Sequence, residues 1–321
     1  MTTETINVGG QAVIEGVMMR TPGAVAIAVR KPNGEITVKK QVLTAPSLRP
    51  KWLQLPVIRG VVNLFLALKL GVNALNFSAN ESLEEETPED EQTPDQKKDA
   101  PIGAVSMTLT MLFAFGLGIT LFVYLPLQLT NLLKNVVEPI ANSSLLFNLV
   151  DGVIRIVFFL LYLLSISLIK DLRRVFEYHG AEHKTIFTYE NGEDLTPEHA
   201  DKYTTFHPRC GTNFLLIVML LSILVFSILK SDAAFYLKFL SRIVFVPLIA
   251  GLSYEVIRFS ARHQDKAWVR WISAPGLFLQ RITTKPPSAD QLEVAIKALE
   301  EALLLEKTHH ASAPKTFDVV V

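Results

Sequence analysis

Residues Ile102 to Leu129, IGAVSMTLTMLFAFGLGITLFVYLPLQL, contain no charged side chain. At about 1.5 Å per residue, a helix of that length crosses a hydrocarbon core of about 30 Å. This run places the chain among integral membrane proteins, and the rest of the composition agrees: half of the 321 residues are hydrophobic and the mean hydropathy is +0.32. A formal net charge of zero leaves no basic field that would argue for nucleic acid. The lone cysteine excludes an intramolecular disulfide. Met1 to Gln11 lack the basic start and apolar core of a cleaved signal, so the N-terminus is expected to be mature as it stands.

Three further spans follow the first (102–129). The second, 152–169, carries Arg155 near one end; the third, 213–229, is short and uncharged from Phe214 onward; the fourth, 243–257, needs Phe239 and Leu240 to reach across. Lysines and arginines collect before the first span, in 170–212 and after the fourth, whereas the turn 130–151 holds only Lys134. The positive-inside rule then puts the N-terminus, the central loop and the C-terminus on the cytoplasmic side of a multi-pass cell-membrane protein. Lys230, Lys238 and Arg242, read as lying in the other outer turn, weaken this bias without reversing it. The expected fold class is a mainly α-helical integral membrane protein, with about four transmembrane helices and a small N-terminal β-hairpin-containing cytoplasmic unit.

That unit occupies residues 1–55. Ala24–Arg30 and Glu35–Val42 flank the turn signal Pro32-Asn33-Gly34 and predict a hairpin. Before it, Gly9 to Arg20 (GGQAVIEGVMMR) reads as a strand-like core with Glu15 inside it, flanked by glycines that allow close backbone approach, at a buried edge of the hairpin sheet. Residues 56–80 are helical and apolar but interrupted by Arg59 and Lys69. A mid-bilayer lysine costs about 2.5–3.5 kcal/mol, so an interfacial or re-entrant helix is expected; a full span would move the N-terminal unit outside. Residues 81–101 set nine acidic residues against Lys97 and Lys98 and read as a disordered linker. In 258–306, Trp268 and Trp271 with Arg258, Arg262 and Arg270 predict an interfacial segment broken by Pro275-Gly276. Ser288 and Gln291 then make a capping-box spacing that opens an amphipathic helix. Its apolar face needs the N-terminal unit or another copy as partner. Residues 307–321 form a tail.

Chemistry-bearing residues crowd into the central loop, 170–212. The second span shows no breaker before Gly180, so its helix is expected to run on past His179 and His183, which stand at i and i+4 on one face with Glu182 beside them. His-x-x-Glu-His is the inverted zinc-hydrolase arrangement, in which two imidazoles hold the metal and the carboxylate takes a proton from the attacking water. Histidines satisfied by backbone, phosphate or water at an interface are the bland counterpart. Downstream, His207-Pro208-Arg209-Cys210 brings an imidazole and a thiol together in a turn, a spacing that suits a metal knuckle; a lone buried thiol competes with it. His199 reads as ordinary surface. Glu255, near the cytoplasmic end of the fourth span, is a further candidate ligand, with Arg258 one turn later as its alternative partner.

Four separated motifs carry a resemblance: Gly9–Arg20 (GGQAVIEGVMMR), His179–Lys184 (HGAEHK), His207–Thr212 (HPRCGT) and the tail Ile282–Leu299. Together they resemble the YqhQ-like family of bacterial multi-pass membrane proteins, a family of unknown function predicted to be metal-dependent. The resemblance implies a metal at His179 and His183, with His207 and Cys210 as further ligands, and names no substrate. The leading expectation is a membrane-anchored hydrolase with Glu182 as base, a divalent ion, zinc by ligand type, on His179 and His183, and His207 or Cys210 completing the set. Binding by all four would close the site and make it structural. A non-enzymatic scaffold or assembly factor is the alternative; a transporter comes third, since Arg155 is the one charge well inside a span. The expected partners are the lipid bilayer and an unidentified substrate or protein, with a homo-oligomer left open.

Overall fold

The computed structural model describes residues 6–44, 49–83, 104–229, 232–261, 263 and 266–310. Most of the linker expected at 81–101 and the end of the tail lie outside the described residues. Four strands open the chain: β1 (Gly9–Val13), β2 (Gly16–Arg20), β3 (Ala24–Arg30) and β4 (Ile36–Val42). The helices are α1 (Ile58–Leu83), α2 (Ala104–Ile119), α3 (Leu125–Lys134), α4 (Glu138–Asn142), α5 (Ser144–Ser167), α6 (Lys170–Glu190), α7 (Pro197–Asp201), α8 (Gly211–Ser227), α9 (Phe235–Val244), α10 (Val246–Ala261), α11 (Ala267–Thr283) and α12 (Ala289–His310). The chain divides into two compact units, one of residues 1–84, 163–217 and 250–321, the other of 85–162 and 218–249.

In the first unit the strands make an antiparallel meander in the order β1-β2-β3-β4. The expected hairpin is β3–β4, turning at Gly34 with φ +91°. The stretch Gly9–Arg20 is a second hairpin, not one strand-like core. Its two strands pair from Gly9↔Arg20 to Val13↔Gly16, and Glu15 sits in the turn at φ +50°. There its carboxylate takes a two-pronged ion pair from Arg174, which supplies a partner for a residue that would be unpaired inside a strand.

Register explains why β2 and β3 read as continuous apolar runs without alternation. Val17, Met19, Ala26 and Ala28 face one side, where they pack on α6 and α12; Met18, Val25, Ile27 and Val29 face the other, where they pack on Leu70 and Ala74 of α1. A strand covered on both faces has no solvent side to mark with polar residues. Edge strand β4 packs Ile36 and Val38 against the core and then becomes exposed from Lys39 onward, with adjacent lysines that blunt edge-to-edge pairing. The amphipathic helix α12 finds its partner here: Ala295, Leu299 and Ala302 are fully buried between the sheet and α6. Its capping box is reciprocal, Ser288 N–H donating to Gln291 Oε1 at 2.9 Å and Gln291 N–H to Ser288 Oγ at 3.4 Å.

Among the described residues, three helical stretches are long and apolar enough to cross a membrane, Ile58–Ser82, Thr108–Lys134 and Ser144–Ser167, and a fourth if α9 and α10, bent by 42°, count as one. The set differs from the expected one at α8, which is shorter, and at α1, which is one continuous helix. The sheet is packed against α6 on one face and α1 on the other, so strands and central loop share one packed body.

Two local expectations are overturned. The helix of the second span does not run on into the central loop: it stops at Ser167, Ile169 is extended at ψ 125°, and α6 starts afresh at Lys170, where the composition switches from apolar to charged and Asp171 favours a helix N-terminus. Nor does Pro275-Gly276 break α11, which runs through both. Gly276 is needed there because a Cβ would collide with Asn213.

In the second unit, Lys238 and Arg242 belong to no outer turn. Both are buried on α9, Arg242 donating to Asn148 and Asp151, and Asp151 also receives Arg155 at 2.9 Å.

Leu299, with no exposed surface, and Leu304, 58% exposed on the same helix, test the three-layer core. Leu299→Ala should cost about 2–5 kcal/mol, read as a clear drop in melting temperature of the purified protein. Leu304→Ala should stay within about 0.5 kcal/mol.

Candidate metal centre

Helix α6 carries the first half of the site and is closed off beyond it by Gly192 at φ +70°, whose N–H returns to Tyr189 O while Glu193 N–H returns to Thr188 O, a left-handed C-terminal stop. His179 and His183 share one face, ring centroids 4.4 Å apart. Cys210, just before α8, meets them: one ligand atom from each of His179, His183 and Cys210 lies within 4.8 Å of the others. His179 Nε2 is 3.2 Å from Cys210 Sγ.

Both imidazoles are aimed from behind. His179 Nδ1 is 2.8 Å from Thr283 O and His183 Nδ1 is 2.5 Å from Thr205 O. A carbonyl only accepts, so each Nδ1 carries the proton and each Nε2 keeps a free lone pair. His183 Nε2 is buried and makes no hydrogen bond. The thiol sulfur receives the Thr212 N–H at 3.4 Å and sits 3.2 Å from Thr212 Oγ1, at the N-terminus of α8. Burial by itself pushes this thiol up, but the charge of His183 and the Thr212 contacts outweigh it and leave the thiol below its usual value. Burial pushes His183 down, and the charge of His179 adds to that. Two imidazoles whose Nδ1 atoms are held by backbone carbonyls, and a thiol shifted toward ionisation, are donor types that a zinc-type ion uses.

Glu182 is fully enclosed on the same helix. Burial pushes its carboxyl up to about 8, the charge of His179 opposing this, that of Cys210 adding to it and the N–H of Gly10 opposing it again. Gly10 is the link to the N-terminal motif, since a Cβ there would meet Met18 O at 2.7 Å and the Glu182 side chain at 3.0 Å. Glu182 Oε2 makes no hydrogen bond. His179, Glu182 and Cys210 line one cavity of about 490 Å³, whose other walls come from β1, β2 and α1.

The remaining candidates lie outside the group of three. His207 is buried between α6 and α11: its N–H donates to Gln280 Oε1 and its C=O accepts from Gln280 Nε2, both at 2.8 Å. Its Nδ1 accepts from Arg209 N–H and its Nε2 is 3.5 Å from Glu190, with the ring centroid 5.6 Å from that of His183. Burial pushes it down to about 4. Glu255 is held by Arg59 and by the N–H of Val57 at 3.2 Å, so its partner is Arg59 at the start of α1. His199 sits at the surface end of α7, bonded to Asp194 O. Sequence reasoning missed Thr205 and Thr283, which act through backbone carbonyls that no side-chain motif records, and Thr212, which HPRCGT does contain.

Residues 55–305 match the family described as "Protein of unknown function (DUF1385)". The chain belongs to this family. It is also 29% identical over 317 residues, 97% of each chain, to the "Uncharacterized protein YqhQ" of Bacillus subtilis (strain 168). No solved structure matches. The DUF1385 match begins after the Gly10 motif, whereas the Bacillus protein aligns over nearly the whole chain. Neither description names an activity.

The charge state of Glu182 gives a measurable sign. Its folded value, about 8, lies above the ordinary 4.5. Between these values the folded chain binds more protons than the unfolded one, so stability falls as pH rises through that window and levels off above 8. In chelator-treated protein, wild type should therefore lose stability from about pH 5 to about pH 9 relative to Glu182→Gln, by on the order of a few kcal/mol. Parallel pH profiles of melting temperature would contradict the assignment.

Proposed function

We propose that this protein is a membrane-anchored, metal-dependent hydrolase whose site faces the cytoplasm. The observation that supports it most is the buried Nε2 of His183, which makes no hydrogen bond, in a group where one ligand atom from each of His179, His183 and Cys210 lies within 4.8 Å of the others while both Nδ1 atoms are held by backbone carbonyls. Three ligands with an open fourth position are the donor set of a catalytic rather than a closed site. A divalent ion held there, zinc by ligand type, would supply Lewis-acid polarisation of a substrate carbonyl or phosphoryl oxygen. His179 and His183 would hold the ion, Thr212 steadies the thiol, and Glu182, ionised once the cation's charge offsets its burial, would take the proton of the attacking water and return it to the leaving group. His207 and Gln280 tie the loop to α11 and so keep Cys210 in place.

In this reading α1 enters the membrane only part-way. Leu70, Ala74 and Ser78 pack against the sheet, which leaves residues 58–69; at about 1.5 Å per residue these reach roughly 18 Å, short of a core of about 30 Å. The cations in 170–212 then mark the cytoplasmic side, with both termini there.

A second reading rests on the 3.2 Å contact between His179 Nε2 and Cys210 Sγ: with Thr283 O behind the imidazole, this is also the geometry of a thiol nucleophile and its base. A scaffold without chemistry would tolerate loss of any of these groups that leaves the fold intact.

Elemental analysis of the purified protein decides first. About one transition ion per chain is expected, lost in His183→Ala and Cys210→Ala and kept in His207→Ala and Glu182→Gln. Turnover of nitrophenyl acyl esters should fall about 10²–10⁴-fold in Glu182→Gln. Absence of metal after refilling, with Cys210 alkylated by iodoacetamide at the same rate before and after chelation, would replace the metal reading with the thiol one.

A further inference from the structure

We infer that the cavity beside His179 and Cys210 takes the acyl chain of a membrane lipid, delivered sideways from the bilayer along α1. The inference deepens the hydrolase reading and rests on it for what happens at the lipid's polar end; chain binding stands on the cavity itself.

The cavity, about 490 Å³, is two-faced. Its α1 wall is apolar, with Leu64, Leu68 and Leu75 spaced along one stripe of the helix. Its opposite wall brings polar groups from the sheet and α6, namely Gln11, Arg20 and Glu182 with His179. Register accounts for Arg20 and Gln11: both stand on the face of the sheet that also carries Met18 and looks toward α1. Gly71 is the closest approach of the two walls, since a Cβ there would meet the Gln11 side chain at 2.9 Å. A volume of this size is that of a ligand site, and an apolar wall opposite a polar one suits a molecule with a hydrocarbon chain and a polar head.

The mouth identifies the source. Leu68 and Leu75 line the cavity and are also 47% and 41% exposed. At Leu68 the opening lies within the stretch of α1 proposed to enter the membrane, where Phe65 is 62% exposed. An apolar surface of this kind on a helix apolar enough for a membrane is covered by lipid chains, so a chain passes from bilayer to cavity without crossing water. A water-soluble substrate would have no use for such a mouth.

The test is photolabelling of the full-length protein in nanodiscs of phosphatidylglycerol carrying a diazirine midway along one acyl chain, with adducts mapped by mass spectrometry. Lipid-facing helices label in any case; the informative positions are Met18, in a strand and 5% exposed, and Phe176, on the charged helix α6. Both line the cavity, and a chain reaches them only from inside it. Adducts at Met18 or Phe176, competed by unlabelled lipid, are expected. Ala67→Phe, which fills the cavity wall, should reduce them about tenfold, the equivalent of roughly 1.4 kcal/mol of overpacking, with metal content unchanged. Adducts confined to residues 108–134 and 144–167 and to outward positions such as Phe65 would overturn the inference while leaving the hydrolase reading intact. Adducts at Met18 or Phe176 in a protein that never binds metal would do the reverse. Should Ala67→Phe not fold, adduct positions on the wild type decide alone.

Discussion

The crossing of the chain over Gly180 is the constraint on which the site and much of the first unit depend. Lys285 N–H donates to Phe176 O at 2.9 Å, and a Cβ on residue 180 would stand 2.1 Å from Lys285 O. Thr205 arrives at the same place, its Cγ2 3.2 Å from that Cβ position and its Oγ1 3.3 Å from Thr284 Oγ1. Three segments far apart in sequence therefore meet within van der Waals contact of one glycine. Two of them bring the carbonyls, Thr205 O and Thr283 O, that fix the histidine tautomers, and the third is the turn of α6 that holds the histidines. The same crossing hands the chain to Ser288 and so to α12, whose buried face completes the core over the sheet. An alanine at 180 would push apart the elements that orient both imidazoles.

The buried polar groups around this crossing divide into satisfied and unsatisfied sets, and the division is informative. His207 spends its backbone on Gln280 and its ring on Arg209 and Glu190. Lys184, three residues into the same enclosed turn, reaches Asp201. By contrast His183 Nε2 and Glu182 Oε2 have no partner, although a buried polar atom left unpaired costs about 1–3 kcal/mol. Packing alone would have replaced them with apolar side chains at no such cost. Thr185 Oγ1 and Thr283 Oγ1 are unpaired there too, so the unsatisfied set is centred on this one turn of α6 and the stretch of chain that crosses it.

The sequence made part of this legible, and the physical reason differs by residue. Helical spacing places His179 and His183 on one face in any fold, so that pair was readable, as were the capping box at Ser288 and Gln291 and the β3–β4 turn at Gly34. Cys210 was readable as a candidate because only one thiol exists. The choice between Cys210 and His207 was not: both lie in one short loop, and only tertiary contacts to Gln280 and Glu190 turn His207 away. The Gly10 motif read as an edge because glycine announces close approach without naming what approaches, here Glu182. Gly180 read only as a possible breaker in the helix, whereas it is the point where Lys285 passes. Pro275 looked like a helix end, since a missing N–H and a clash ordinarily stop a helix, yet α11 continues. Glu255 pairs with Arg59, 196 residues earlier, a contact that spacing alone does not announce.

The start of α1 shows how that ion pair bears on the cavity. Val57 holds φ at +69°, a region costly for a β-branched residue. What over-determines it is contact on every side: its N–H goes to Glu255, and its carbonyl presses where a Cβ on Gly251 would be, 2.6 Å away. Gly60 meets Gly251 as closely, its own Cβ position lying 2.8 Å from Gly251 O, so two glycines let α1 and α10 touch backbone to backbone. Farther along, Ser78 bonds Ile14 N–H, and Lys31 pairs with Glu81. Helix α1 is thus fastened at its first turn to α10 and near its end to the sheet. The stripe between, Leu64 to Leu75, is left spanning the cavity as a fixed wall. A wall pinned at both ends has its mouth set by side chains alone, which is why the bulk of Leu68 and Leu75, rather than any hinge in the helix, governs what enters.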